Sequence, residues 1–178
     1  SLLKKPIMTI VGARAATNYS QEIIQKLVPS LVKQKYIIAS GLAKGVDAMA
    51  HHATLNNNGK TIAVIGNGLN HFYPMQNHFL QEQIIDQGLI ISEYLPDTPP
   101  RPYRFPQRKR IISGISEGVI VTEAKEKSGS LITASLALQE NRDVYAVPGP
   151  ITSSLSKGPN QLIEAGATPI VDFEFKKE

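Results

Sequence analysis

Short, nearly uninterrupted apolar runs recur along the chain, and helical spacing fills the gaps between them. The runs lie at residues 6–11, 36–39, 61–65, 89–94, 118–122 and 144–147, with a candidate seventh at 168–171. A strand with one wet face alternates apolar and polar residues. Runs without alternation, each followed by a helix-length segment, belong to a parallel sheet covered on both faces and built from βα repeats. The first intervening segment shows the pattern clearly. It has a cap near Thr17 or Asn18 and an apolar stripe of Ile23, Ile24, Leu27, Leu31 and Val32. The expectation is an α/β, Rossmann-like, doubly wound domain over residues 1–178. Its sheet is mostly parallel, with six to seven strands and helices on both faces. The proline-rich segment 95–106 reads as a long loop inside that domain, because strand-like runs continue on both sides of it.

In an open parallel sheet, ligands bind beyond the carboxyl ends of the strands. The residues that follow each run are therefore the candidates for function. They include Gly12-Ala-Arg14, then Ser40-Gly-Leu-Ala-Lys-Gly45, then Gly66-Asn-Gly68 and, after the fifth run, Ser128-Gly-Ser130. Small residues let the backbone approach a ligand, and helix N-termini offer unpaired N–H groups with partial positive charge. Ser40, Gly41, Gly45, Ser128, Gly129 and Ser130 suit that role, and Arg14 and Lys44 add full charges. An anion-binding edge follows.

The segment after the fourth run, Arg101 to Arg110, carries five positive charges in ten residues, no acid and two aromatics. The whole chain has 19 basic and 15 acidic residues; without this segment 14 face 15, so the basic character is local. One reading is a solvated charged loop. The other is a surface for a polyanion with stacking faces, that is, nucleic acid. On the second reading Arg14, Lys44, Arg104, Arg108, Lys109 and Arg110 hold successive phosphates. Phe105 and Tyr103 are then the candidates for stacking on a base, with Phe105 equally placed to plug the core beneath the loop.

Several classes drop out. Cysteine is absent, so disulfides, thiolate zinc sites and a cysteine nucleophile are excluded. No G-x-G-x-x-G follows the first run and no G-x-x-x-x-G-K-[ST] occurs, which weakens dinucleotide and P-loop readings. His51 and His52 are adjacent and point apart on a helix, unlike an i, i+4 metal pair. No cofactor or metal is expected, and no apolar run reaches membrane-spanning length. Asp47, in the first turn of the second helix, suits an interaction with its N-terminus. Glu123, at a strand end and expected to face Ser128–Ser130, reads as a general base or ribose ligand, or as a carboxylate that orders a loop.

Four motifs together, Ser40-Gly-Leu-Ala-Lys-Gly-Val-Asp-Ala-Met-Ala-His51, Phe105-Pro-Gln-Arg-Lys-Arg-Ile-Ile112, Ser128-Gly-Ser-Leu-Ile-Thr-Ala134 and Val144-Tyr-Ala-Val-Pro-Gly149, resemble the DNA-processing protein A (DprA/Smf) family. The resemblance runs from about Ile7 to Ile170, and the joint pattern is specific although no single motif is. It implies an extended Rossmann domain in a cytoplasmic homodimer. That domain would bind single-stranded DNA and hand it to the RecA recombinase during natural transformation. On this likeness Arg14 fills the arginine of a Gly-Ser-Arg motif, Lys44 the basic position of its loop, and Phe105, Arg108 and Arg110 the Phe-Pro-x-Arg-Asn-Arg positions. Ala13 replaces the usual serine and Lys109 the usual asparagine, which moves the balance towards plain electrostatics. Met75 stands where some members carry lysine. Many members add an N-terminal helical and a C-terminal winged-helix domain, for which 178 residues leave no room.

The rival expectation is a nucleotide-binding enzyme that cleaves N-glycosidic bonds, with Arg14 and Ser128–Ser130 on a phosphate and Glu123 assisting at the ribose. Five charges between 101 and 110 exceed what one mononucleotide needs.

Overall fold

Strand β1 (Ile7–Val11) lies at the centre of the sheet and is buried throughout. To one side lie β2 (Ile37–Ser40), β3 (Thr61–Val64) and β4 (Leu89–Ile91), and to the other β5 (Gly118–Val121), β6 (Asp143–Ala146) and β7 (Thr168–Pro169). The order is β4-β3-β2-β1-β5-β6-β7 and every pairing is parallel. This is the arrangement in a computed structural model, which describes residues 1–177. The chain winds outward from β1 as far as β4, then returns across the sheet to β5 and winds outward the other way. With right-handed crossovers, the helices of the two halves must cover opposite faces.

They do. Helices α1 (Asn18–Lys33), α2 (Val46–Asn56) and α3 (His78–Gln87) cover one face; α4 (Arg104–Ile115), α5 (Gly129–Gln139) and α6 (Lys157–Glu164) cover the other. Alternate residues of β1 serve the two layers. Met8 and Ile10 pack with Ile24, Leu27 and Leu31 of α1 and with Val46 and Ala50 of α2. Ile7 packs with Ile112 of α4, and Val11 with Ala134 and Ala137 of α5. Uninterrupted apolar runs are what strands buried on both faces require. Thr17 caps α1, its hydroxyl accepting from the Tyr19 N–H at 3.2 Å.

The structure departs from the sequence expectation in two places. The basic segment is mostly helix, since α4 begins at Arg104 and Pro106 falls in its first turn. A proline there forfeits only an N–H that the helix would leave unpaired anyway. The arginines of this segment therefore project from helix positions with fixed directions. The second departure is the tail, where Phe175 is buried against Tyr36 and Tyr145 at ring-centroid distances of 5.8 and 5.0 Å. Its neighbours Glu174, Lys176 and Lys177 are charged, so no continuous apolar run announces it.

Candidate nucleic-acid interface

The strand order reverses between β1 and β5, and a crevice opens beyond their carboxyl ends, where such folds place ligands. Gly12 lets three elements converge there: a side chain at this position would stand 2.6 Å from Val46, 2.9 Å from the Glu123 carbonyl and 2.9 Å from the Thr122 hydroxyl. The Ala13 N–H donates to the Glu123 carbonyl at 2.7 Å, and the Val46 N–H to the Ala13 carbonyl at 3.1 Å. Gly45 adopts φ +76°, and a side chain there would run into the Ala13 and Arg14 carbonyls. Only glycine suits that position, so the loop bearing Arg14 is fastened to the start of α2.

Two cavities adjoin in this crevice. The larger, about 310 Å³, is lined by Arg14, Arg108, Lys109, Lys125 and the Ser128-Gly129-Ser130 turn, with Asp47 as its one acidic member. The smaller, about 50 Å³, is lined by Arg14, Gly41, Lys44, Tyr73, Phe105 and Arg108. Arg14 and Arg108 therefore belong to both. Arg14 and Lys44 are exposed and, among the described residues, make no hydrogen bond or ion pair. No side chain caps the N-terminus of α5, and the Ser128 hydroxyl at that terminus is buried without a partner. Unpaired amide groups and free cations around one crevice give it the chemistry that an anion requires.

Arg108 is the floor of the crevice, only 5% exposed. Its Nη1 donates to the Gly41 carbonyl and, at 2.9 Å, to the Val64 carbonyl, while its Nε finds no partner. Burial lowers its pKa to about 10, with Asp47 acting against that fall, so the group stays cationic near neutrality. Asp47 Oδ2 accepts from the N–H groups of Gly41 at 3.1 Å and Ala43 at 3.3 Å. Burial raises the Asp47 pKa, and Arg108 and those two amides oppose the rise. Asp47 thus serves the loop before α2 rather than the helix end that its sequence position implied. Lys109 is half-buried, its ammonium donating to the Gly129 carbonyl at 2.7 Å. Burial first, and Arg108 second, lower its pKa.

The remaining candidates divide. Ser40 is fully buried and its hydroxyl donates to the Ile10 carbonyl at 2.7 Å, so it ties β2 to β1. Phe105 is half-buried; the Tyr73 ring stacks on it at 5.3 Å, and the Arg108 guanidinium lies over it at 5.4 Å. Arg104 and Arg110 line neither cavity. Arg104 donates to the Pro99 carbonyl and lies over the Tyr94 and Tyr103 rings, and Arg110 pairs with Glu93. Consecutive residues of a helix point in different directions, and a charge count cannot say which of them turn inward. Lys125 and Tyr73 also line the cavities; both lie in strand-end loops of the sequence, where no role was assigned to them.

Glu123 does not face Ser128–Ser130. It is 2% exposed, and it accepts from the Thr17 N–H at 3.0 Å, the Thr17 hydroxyl at 2.9 Å and the Ser20 N–H at 3.3 Å. The carboxylate closes the N-terminus of α1 and is turned away from the crevice, so it orders that helix start rather than the Ser128–Ser130 loop. Among the described residues no cluster of three or more acidic or histidine side chains is placed to hold a metal ion, and no helix is long and apolar enough to cross a membrane.

The sequence matches the profile of the DNA recombination-mediator protein A family over residues 1–176. It is 49% identical over 181 residues to the DNA processing protein DprA of Streptococcus pneumoniae, covering 98% of this chain and 64% of that protein. To the Bacillus subtilis protein of the same name it is 45% identical over 165 residues, covering 93% and 56%. The fold superimposes on the S. pneumoniae crystal structure with a TM-score of 0.92 over 99% of this chain and 64% of that one, at 45% identity. The DNA processing protein A of Helicobacter pylori, described for its single-stranded DNA binding mode, gives 0.90 at 34% identity over 97% and 79%. The chain thus spans less than two thirds of the two curated relatives.

Proposed function

The chain belongs to the DNA recombination-mediator protein A family, and on that premise we propose that its crevice binds single-stranded DNA. The observation that carries this reading is the group of Arg14, Lys44, Arg108 and Lys109 around two adjoining cavities at the switch point of the sheet. Arg14 and Lys44, free and exposed, take phosphates on the outside. Lys109, the Ser128–Ser130 turn and the floor provided by Arg108 take one further in. The planar fork of arginine donates two parallel hydrogen bonds to such oxygens. Ser40, Gly41 and Gly45 shape the loop that carries Lys44, and Phe105 closes the crevice wall. Arg104 and Arg110 add to the long-range positive field. The H. pylori relative described as binding single-stranded DNA supports the same reading.

The mediator role follows as part of the proposal: the chain holds and protects single-stranded DNA and passes it to RecA recombinase in transformation or recombination. It would work as a cytoplasmic homodimer, without a cofactor and without catalysis. Against an N-glycosidic enzyme stands the lining of the two cavities, which among the described residues offers no uncommitted carboxylate. Asp47 is the acidic member of the larger cavity and is occupied by two amides, while Glu123 lies outside it.

Fluorescence anisotropy of labelled oligo-dT tests this, with wild type and Arg14→Ala at two salt concentrations. Binding that weakens with salt and with the substitution is expected. Absence of binding at low salt overturns the reading.

A further inference from the structure

Of the two cavities, only the larger reaches the loop after β5 and the start of α5. Its inner wall is core, since Val11, Ile112 and Thr133 are each no more than 4% exposed. A strand passing through would need a way out on that side, and the core blocks it. The space is a dead end rather than a track.

The donors around it outnumber what one backbone phosphate uses. Helix α5 is 11 residues long, and the N–H groups of Gly129 and Ser130 in its first turn have no partner among the described residues. The Ser128 hydroxyl and the Nε of Arg108 are buried there, also without a partner among those residues. Lys109 spends one of its three ammonium protons on the Gly129 carbonyl at 2.7 Å, which holds it over the same turn. Lys125 is exposed and lines this cavity alone. The one carboxylate, Asp47, is occupied by the Gly41 and Ala43 amides.

We propose that this dead-end cavity is a phosphomonoester site, which takes the terminal phosphate of a nucleotide. Lys109, Lys125 and the α5 amides hold its oxygens, with Arg108 beneath. The site rests on the single-stranded DNA reading above and adds to it a preference for a phosphate that ends a chain. A phosphomonoester carries about 1.5–2 negative charges and three acceptor oxygens, more than a diester within a strand. About 310 Å³ lies at the lower end of small-ligand pockets, the scale of a single nucleotide. The phosphate belongs either to a strand end or to a free mononucleotide.

Three internally labelled oligo-dT strands of one length, with hydroxyl ends, a 5′-phosphate or a 3′-phosphate, separate these sources by anisotropy. One of the phosphorylated strands should bind about 10-fold tighter than the hydroxyl-ended one, the gain of one charge-assisted hydrogen bond. Lys125→Ala should remove most of that gain and leave hydroxyl-ended binding nearly unchanged, whereas Lys44→Ala should weaken all three strands alike. Calorimetric titration with thymidine 5′-monophosphate, and with thymidine as control, reads the free nucleotide. Binding of the monophosphate alone, lost in Lys125→Ala, assigns the site to a mononucleotide; a gain confined to the strands assigns it to a strand end. Equal binding of the three strands with no binding of the monophosphate overturns the site and leaves the DNA reading intact. A gain that Lys125→Ala leaves whole places the phosphate elsewhere and overturns it too. If no strand binds at low salt, the DNA reading fails, and the monophosphate titration alone decides this site.

Discussion

The Gly41 backbone lies against the Arg108 guanidinium, and Arg108 donates to the Gly41 carbonyl from that position. A Cβ on Gly41 would stand 2.6 Å from Arg108 Nη2 and 2.8 Å from Asp47 Oδ2. The pair thus sets how deep the basic floor of the crevice sits. Arg108 can reach two backbone carbonyls only because residue 41 has no side chain.

Gly41→Ala should therefore push Arg108 off both carbonyls. Overpacking of this kind costs about 1–3 kcal/mol, seen as a lower urea midpoint, and oligo-dT affinity should fall with it. Unchanged midpoint and affinity would mean that the guanidinium relocates without cost.

Arg14 and Arg108 should separate binding from stability. Arg14 is exposed and free, so Arg14→Ala should leave stability within about 0.5 kcal/mol. It should still weaken oligo-dT binding and make the salt dependence shallower by about 0.7 in log–log slope, the value for one phosphate on a single strand. Arg108→Met removes the donor from the buried Gly41 and Val64 carbonyls and should cost about 1–3 kcal/mol in denaturation. Equal stability losses for the two variants would contradict the buried-floor geometry.

Much of this was legible before the structure. Apolar runs without alternation forced a parallel sheet, and the residues after the runs marked the edge where the crevice opens, lined by Arg14, Lys44 and the Ser128–Ser130 turn. What escaped was direction. Arg108 and Arg110 are two residues apart on one helix, yet one is buried under the crevice and the other pairs with Glu93. The orientation of Glu123 escaped for a related reason, because its partners on Thr17 and Ser20 lie more than a hundred positions away. Tyr73 lies in the loop after the third apolar run, but it carries no charge and the loop is irregular, so it drew no role from sequence alone.

Glu123→Gln tests the cap directly. The amide keeps one acceptor but loses the charge that closes the N-terminus of α1, and stability should fall by about 0.5–2 kcal/mol, the range for a lost cap. Oligo-dT affinity should be unchanged, since Glu123 lines neither cavity. Weaker binding at preserved stability would place the carboxylate back in the site.

The buried His51 should make the fold sensitive to acid. Its Nδ1 lies 2.6 Å from the Thr61 hydroxyl, which itself donates to the Ile38 carbonyl at 2.8 Å. The one hydroxyl proton is thus spent, so Nδ1 carries the ring proton and Nε2 is bare. Nε2 is buried with no partner among the described residues, and burial lowers the His51 pKa to about 3. The unfolded chain, with a pKa of about 6.5, binds more protons between these values. The contribution is complete above about 6.5 and is lost as pH falls towards 3. By linkage it shrinks by about 2 kcal/mol between pH 7 and pH 5. Asp47, with its raised pKa, works in the opposite sense, so the difference between wild type and His51→Gln is the quantity to read. Urea denaturation at pH 7 and pH 5 should show a smaller acid loss in the variant, and equal losses would mean that His51 accepts its second proton without penalty.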